Sequence, residues 1–188
     1  PAGAPVELYT VTMTANGILT INSITFNANN DDNTITQGAS STVTVNGPVT
    51  INQPSANTTN NNWNVNSGSA TVSGLISLAG ANTTTSRDGS LVITTGTLNA
   101  DGGIAIAGTT AATKNINMTG ASSVLNIGGT GISGAANATF TAGSGTSTVN
   151  YNAAGNQANV ANYTYNNLTI STSGTKTLLG TTDVNGTL

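Results

Sequence analysis

The chain has 188 residues, of which three are basic and six acidic, for a formal net charge of −3. Histidine and cysteine are absent, which excludes thiol nucleophiles, Ser-His-Asp triads, haem ligation and imidazole or thiolate metal sites. Three cations are too few to hold nucleic acid through its phosphates, so that partner class is not expected.

Apolar residues make up 36% and aromatics 4% of the chain, too little for a thick core. A thin core shared among many short strands needs less apolar mass per residue. The length suits one domain. No stretch approaches the roughly 18–20 consecutive apolar residues of a membrane-spanning helix. The chain opens on Pro1 rather than Met, which reads as a processed, secreted product after signal removal.

Taken in chain order, the predicted elements are short runs in which aliphatic residues alternate with Thr, Asn or Ser. They cover Val11–Thr14, Ile18–Ile21, Ile24–Phe26, Val43–Val45, Val49–Ile51, Val72–Leu78 and Leu91–Ile93. Further runs cover Ile104–Ile106, Ile116–Met118, Val124–Ile127, Val149–Tyr151 and Leu168–Ile170. Gly, Asn, Asp or Ser-rich turns bound each run. No segment sustains helical periodicity; Gly134–Phe140 is the least unfavourable helix. Ala56–Asn64 reads as loop, and Trp63 near its end as a buried plug. The chain is therefore expected to be all-β.

Ala15-Asn16-Gly17-Ile18-Leu19-Thr20-Ile21 is echoed by Val45-Asn46-Gly47-Pro48-Val49-Thr50-Ile51 and by Val72-Ser73-Gly74-Leu75-Ile76-Ser77-Leu78. A fourth copy opens at Val184-Asn185-Gly186-Thr187-Leu188. Such spacing points to an irregular parallel β-solenoid over residues 15–188. A β-sandwich completed by a donated strand is the alternative architecture.

Residues 142–188 carry Ser147-Thr148-Val149-Asn150-Tyr151, then Tyr163-Thr164-Tyr165-Asn166-Asn167-Leu168-Thr169-Ile170. Gly174-Thr175-Lys176-Thr177-Leu178 and Val184-Asn185-Gly186-Thr187-Leu188 follow. This run resembles the repeats of large bacterial surface proteins, the autotransporter passengers and filamentous-haemagglutinin-type adhesins. The resemblance implies a right-handed parallel β-helix at the cell surface or outside the cell, with an adhesive or structural role. It brings no catalytic residues.

Enzymes on this kind of scaffold need clustered carboxylates, whereas Glu7, Asp31, Asp32, Asp88, Asp101 and Asp183 are scattered. Catalysis and cofactors are not expected. Asn27–Asn33 gathers carboxylate and amide oxygens, so Asp31 and Asp32 are candidate ligands for a structural calcium, against a plain Asx-rich turn. Thr-x-Thr triplets at Thr10–Thr14, Thr34–Thr36, Thr42–Thr44 and Thr175–Thr177 raise an ice-binding face as a third reading.

The charge count itself points to assembly. Solenoid ends expose unpaired backbone unless charged residues or caps guard them, and this chain has few charges to spare. Residues 1–14, with Val6, Leu8, Val11 and Met13 on one side, form a candidate donor arm. Val184 and Leu188 at the opposite end open a strand that stops short. The expected function is an extracellular structural protein joining copies of itself head to tail. A module binding cell-surface glycans is the alternative.

Overall fold

The computed structural model describes residues 9–56, 58–80, 87–108 and 114–188. The chain is all-β and winds about five turns of a parallel β-solenoid. Each full turn lays one short strand on each of three walls.

The first wall stacks β1 (Tyr9–Thr12), β4 (Asn33–Thr36), β7 (Asn60–Val65), β10 (Asp88–Ile93), β13 (Lys114–Met118) and β16 (Thr139–Thr141). The second wall stacks β2 (Ile18–Ile21), β5 (Thr42–Val45), β8 (Ser69–Val72), β11 (Thr97–Ala100), β14 (Val124–Ile127), β17 (Thr148–Tyr151) and β20 (Asn167–Ile170). The third holds β3 (Ile24–Phe26), β6 (Val49–Asn52), β9 (Ile76–Ala79), β12 (Ile104–Ile106) and β15 (Ile132–Ser133). Two parallel pairs follow, β18 (Gln157–Val160) with β21 (Lys176–Leu178) and β19 (Thr164–Tyr165) with β22 (Asp183–Val184).

Period-two alternation builds this stack because successive strand residues point to opposite faces. Inward side chains form columns along the axis. On the first wall, Ile35, Trp63, Leu91, Ile116 and Phe140 lie in register. On the second, Leu19, Val43, Ala70, Leu98, Leu125, Val149 and Leu168 do the same. Trp63 is fully buried in its column, as its reading as a plug requires. Outward columns are polar and bond along the axis: Asn99 Nδ2 donates to Thr71 Oγ1 at 3.0 Å and Asn126 Nδ2 to Asn99 Oδ1 at 2.7 Å. Asn150 Nδ2 continues to Asn126 Oδ1 at 3.3 Å.

Where the chain turns between walls, buried polar side chains collect carbonyls that face inward. Gln37 Nε2 donates to Ser69 O at 3.0 Å, and Asn61 Nδ2 donates to Asn27 O and Asn52 O at 2.9 and 2.7 Å. Gln157 Nε2 donates to Ile127 O and Gly128 O. Lys114 is fully buried and donates to Gly80 O at 3.2 Å. Burial holds its ammonium below the usual lysine pKa.

Three expectations need correction. Ala56–Asn64 is not all loop, because β7 occupies Asn60–Val65 with Asn61, Trp63 and Val65 inward. An inward Asn hid the alternation there. Val72–Leu78 is two strands, β8 and β9, divided at Ser73-Gly74-Leu75. Gly74 lies so close to Gly47 that no side chain fits between the stacked turns. At Gly134–Phe140 no α-helix forms, as expected, and only a single 3₁₀ turn, Ala135–Asn137, is present. The first repeat copy is also out of place: Ile18–Ile21 lies on the second wall, whereas Val49 and Ile76 stack on the third wall beneath Ile24.

The turns are unequal in length. Asn33 and Asn61, side chains bonded across adjacent early turns, have a sequence separation of 28. For Ser123 and Ser147, bonded across later ones, it is 24. For Asn156 and Thr175, bonded across the last turn, it falls to 19. The last turn is narrower than those it stacks on.

Candidate functional site

The solenoid's two end faces carry most of its exposed large aliphatic side chains. At the head, β1, β2 and β3 each have a described strand on one side only. Val11 is 56% exposed there, and Met13, Leu19 and Ile21 are half-buried at the ends of inward columns. A hollow of about 180 Å³ opens beside Val11, Phe26, Ile35 and Asn29.

At the tail, β20, β21 and β22 are the last strands of their stacks. Leu168, Ile170, Leu178, Val184 and Leu188 line a cavity of about 240 Å³, with Lys176 and Thr182 at its rim. Leu188 is 82% exposed and Leu178 54%. The Lys176 ammonium is held by three carbonyls, those of Ala153 at 2.6 Å, Gly155 at 2.7 Å and Ser173 at 3.2 Å. The Thr187 carbonyl accepts from Leu168 N at 3.0 Å, so the final residues start to cover β20.

The candidate interface residues therefore divide between the ends. Val11 and Met13 are at the head, and Val184 and Leu188 are together at the tail. Val6 and Leu8 lie outside the described residues. Of the 1–14 arm, Tyr9–Thr12 is already paired with β4 of its own chain. Sequence reasoning missed Leu19 and Ile21 at the head and Leu168, Ile170 and Leu178 at the tail. Their strands look like interior ones, and only the stacking order shows that they are outermost.

Just above the tail, four aromatics fill the narrowing stack. Phe140 and Tyr163 stack with centroids 4.7 Å apart and planes 7° from parallel. Tyr151 Oη and Tyr165 Oη are 3.0 Å apart; Tyr165 donates to Ala161 O at 2.7 Å, and Ala161 N donates to Tyr151 Oη at 3.1 Å. Tyr163 donates to Ala135 O at 2.9 Å. Burial pushes the Tyr151 phenol up to about 12, partly offset by its hydrogen bonds with Tyr165 and with the Ala161 N–H. Burial also raises Tyr163 and Tyr165, with the nearby Tyr151 phenol adding to both.

Asp31 and Asp32 lie in the turn before β4. Asn29 Nδ2 donates to the Asp31 carboxylate at 2.9 Å, and Asn60 N donates to that of Asp32. Both carboxylates thus take part in tying the turn. No group of three or more acidic, histidine or cysteine residues suited to a metal occurs among the described residues. Asp88 opens β10, and burial raises its carboxyl pKa. The Thr triplets are divided between walls. Thr34 and Thr36 lie in register with Thr10 and Thr12, but the next rung offers Asn62 and Asn64.

No helix among the described residues is long and apolar enough to cross a membrane. Compared with protein-family models, curated proteins and solved structures, the chain finds no match in any of the three.

Proposed function

We propose that the protein is an extracellular structural element whose copies join head to tail into a filament or fibrous surface layer. The observation that carries this reading is the pair of end faces. Inward columns run from Leu19 to Leu168 and from Ile21, through Tyr151, to Ile170. Leu19 and Ile21 are half-buried at the head and Ile170 is exposed at the tail, whereas Leu168 is already covered. Burying such side chains at about 25 cal/mol per Å² favours a continued stack. All described pairings are parallel, so a further rung in the same sense requires a head on a tail. The low charge offers little repulsion to close approach.

The extracellular setting rests on the resemblance of residues 142–188 to bacterial surface repeats. The glycan-binding alternative has less support: Trp63, Tyr151 and Tyr165, which could stack on sugars, are fully buried. Ice binding has less support because the Thr columns give way to Asn.

Negative-stain microscopy of the purified chain tests the proposal. Filaments along the solenoid axis are expected, and Ile170→Lys at the tail should shorten or abolish them. Single rods at every protein concentration would sink it.

A further inference from the structure

Resting on the filament reading above, we propose that the tail cavity receives residues 1–8 of a second copy, so that a donated arm seals each junction. The cavity bounded by Leu168, Ile170, Leu178, Val184 and Leu188 is apolar, and strand edges surround it. The arm is Pro1-Ala2-Gly3-Ala4-Pro5-Val6-Glu7-Leu8. In an extended segment Val6 and Leu8 face one side and Glu7 the other. That pattern suits an apolar floor with a polar rim.

Length decides whose arm it is. On the first wall, five steps separate β1 from β16; one more leads to the level of Tyr163, stacked on Phe140, and another to β22. At ~4.8 Å per step this is about 34 Å. Eight extended residues span at most about 29 Å. A chain therefore cannot place its own arm in its own tail cavity, and the occupant comes from another copy. The head of that copy meets the tail because its Tyr9 follows directly on the arm and starts the first wall.

Charge favours the same choice. Glu7 is the arm's only acid, and the tail cavity has Lys176 at its rim. Asp31 and Asp32, in the turn before β4 one rung from β1, instead oppose folding the arm back on its own head.

The test uses the full chain, a form beginning at Tyr9, and a labelled peptide of residues 1–8. Residues 9–188 contain every described strand, and a β circular-dichroism signal and cooperative melt of the shortened form check that it folds. The expected results are filaments from the full chain, single rods from the shortened form, and peptide binding to the shortened form. Leu178→Asp, at a half-exposed position, should weaken peptide binding by about tenfold or more and abolish filaments in the full chain. Filaments from the shortened form equal to those of the full chain would overturn the proposal. Stronger association without the arm would also overturn it, by making the arm a cap on its own head. So would peptide binding indifferent to Leu178→Asp. If the full chain stays as single rods, the filament reading fails, and the peptide titration still decides the fate of the arm.

Discussion

The turns up to Tyr151 and the narrow turn that follows solve one packing problem with different chemistry. The wide turns fill their interior mainly with aliphatic columns, joined by Phe26 and Trp63. The narrow one keeps only the second wall continuous with the rest. It joins the other walls through an isolated bridge from Gly131 to Asn159 and through the Phe140–Tyr163 stack. A buried tyrosine network occupies the step between the two. Beyond Ser171 no residue is buried. The contrast teaches that turns with neighbours on both sides are held mainly by alternating inward columns, with a few buried amides such as Gln37 and Asn61 satisfied between turns. Where perimeter and neighbours change, specific hydrogen bonds and rings take over.

Cutting the wide region's core should have the largest effect. Trp63→Ala empties a fully buried site in the first-wall column and should cost about 3–5 kcal/mol, read as a large fall in the denaturant midpoint. A loss below about 1 kcal/mol would mean that the wide turns do not depend on the close packing that makes such cavities costly.

Breaking the joint comes next. Gly131 has φ 98°, and a Cβ there would fall on the Asn159 carbonyl. Gly131→Ala should cost about 1–3 kcal/mol from its backbone conformation alone. Hydrogen exchange should speed up from residue 152 onward while the earlier turns stay protected. Uniform acceleration would show that the two regions are one cooperative unit.

Removing one hydroxyl is a finer probe. Tyr165→Phe takes away the donor to Ala161 O, a buried acceptor, and should cost about 1–3 kcal/mol. Alkali probes the same cluster without mutation. The Tyr151 phenol is raised from 10.0 to about 12 in the fold. The stability from keeping it neutral is fully present below pH 10 and is lost as pH rises from 10 through about 12. Tyrosinate absorbance from the buried residues should therefore appear above pH 10 together with loss of the β circular-dichroism signal. Normal titration with the fold intact would refute this picture. The smallest effect is expected at the outermost turn, where Leu178→Ala should change stability by less than about 0.5 kcal/mol.

Legibility in the sequence was uneven along the stack, and β4 and β11 were missed even in the wide turns. Val43–Val45, Val49–Ile51 and Val124–Ile127 were readable because each alternates aliphatic and polar residues. β7 was not, because Asn61 faces inward and its amide is satisfied by Asn27 O on the preceding turn and by Asn52 O across the corner. β18 was missed because its inward position is taken by Gln157 rather than an aliphatic residue, and β21 and β22 because they are only three and two residues long. At the candidate site, Val11, Met13, Val184 and Leu188 could be named from their nearness to the chain ends. Leu19, Leu168, Ile170 and Leu178 could not.

By itself, the sequence determined an all-β chain of short strands, a thin apolar interior with Trp63 inside it, and a surface of hydroxyls and amides almost free of charge. These properties follow from side-chain chemistry over a short span of chain. The tertiary structure decided which strand stacks on which, where the turns narrow and which aliphatic side chains are left at the ends. Those outcomes depend on turn lengths and on contacts a whole turn apart, such as Asn33 with Asn61 and Thr148 with Asn167, and no local pattern carries that distance.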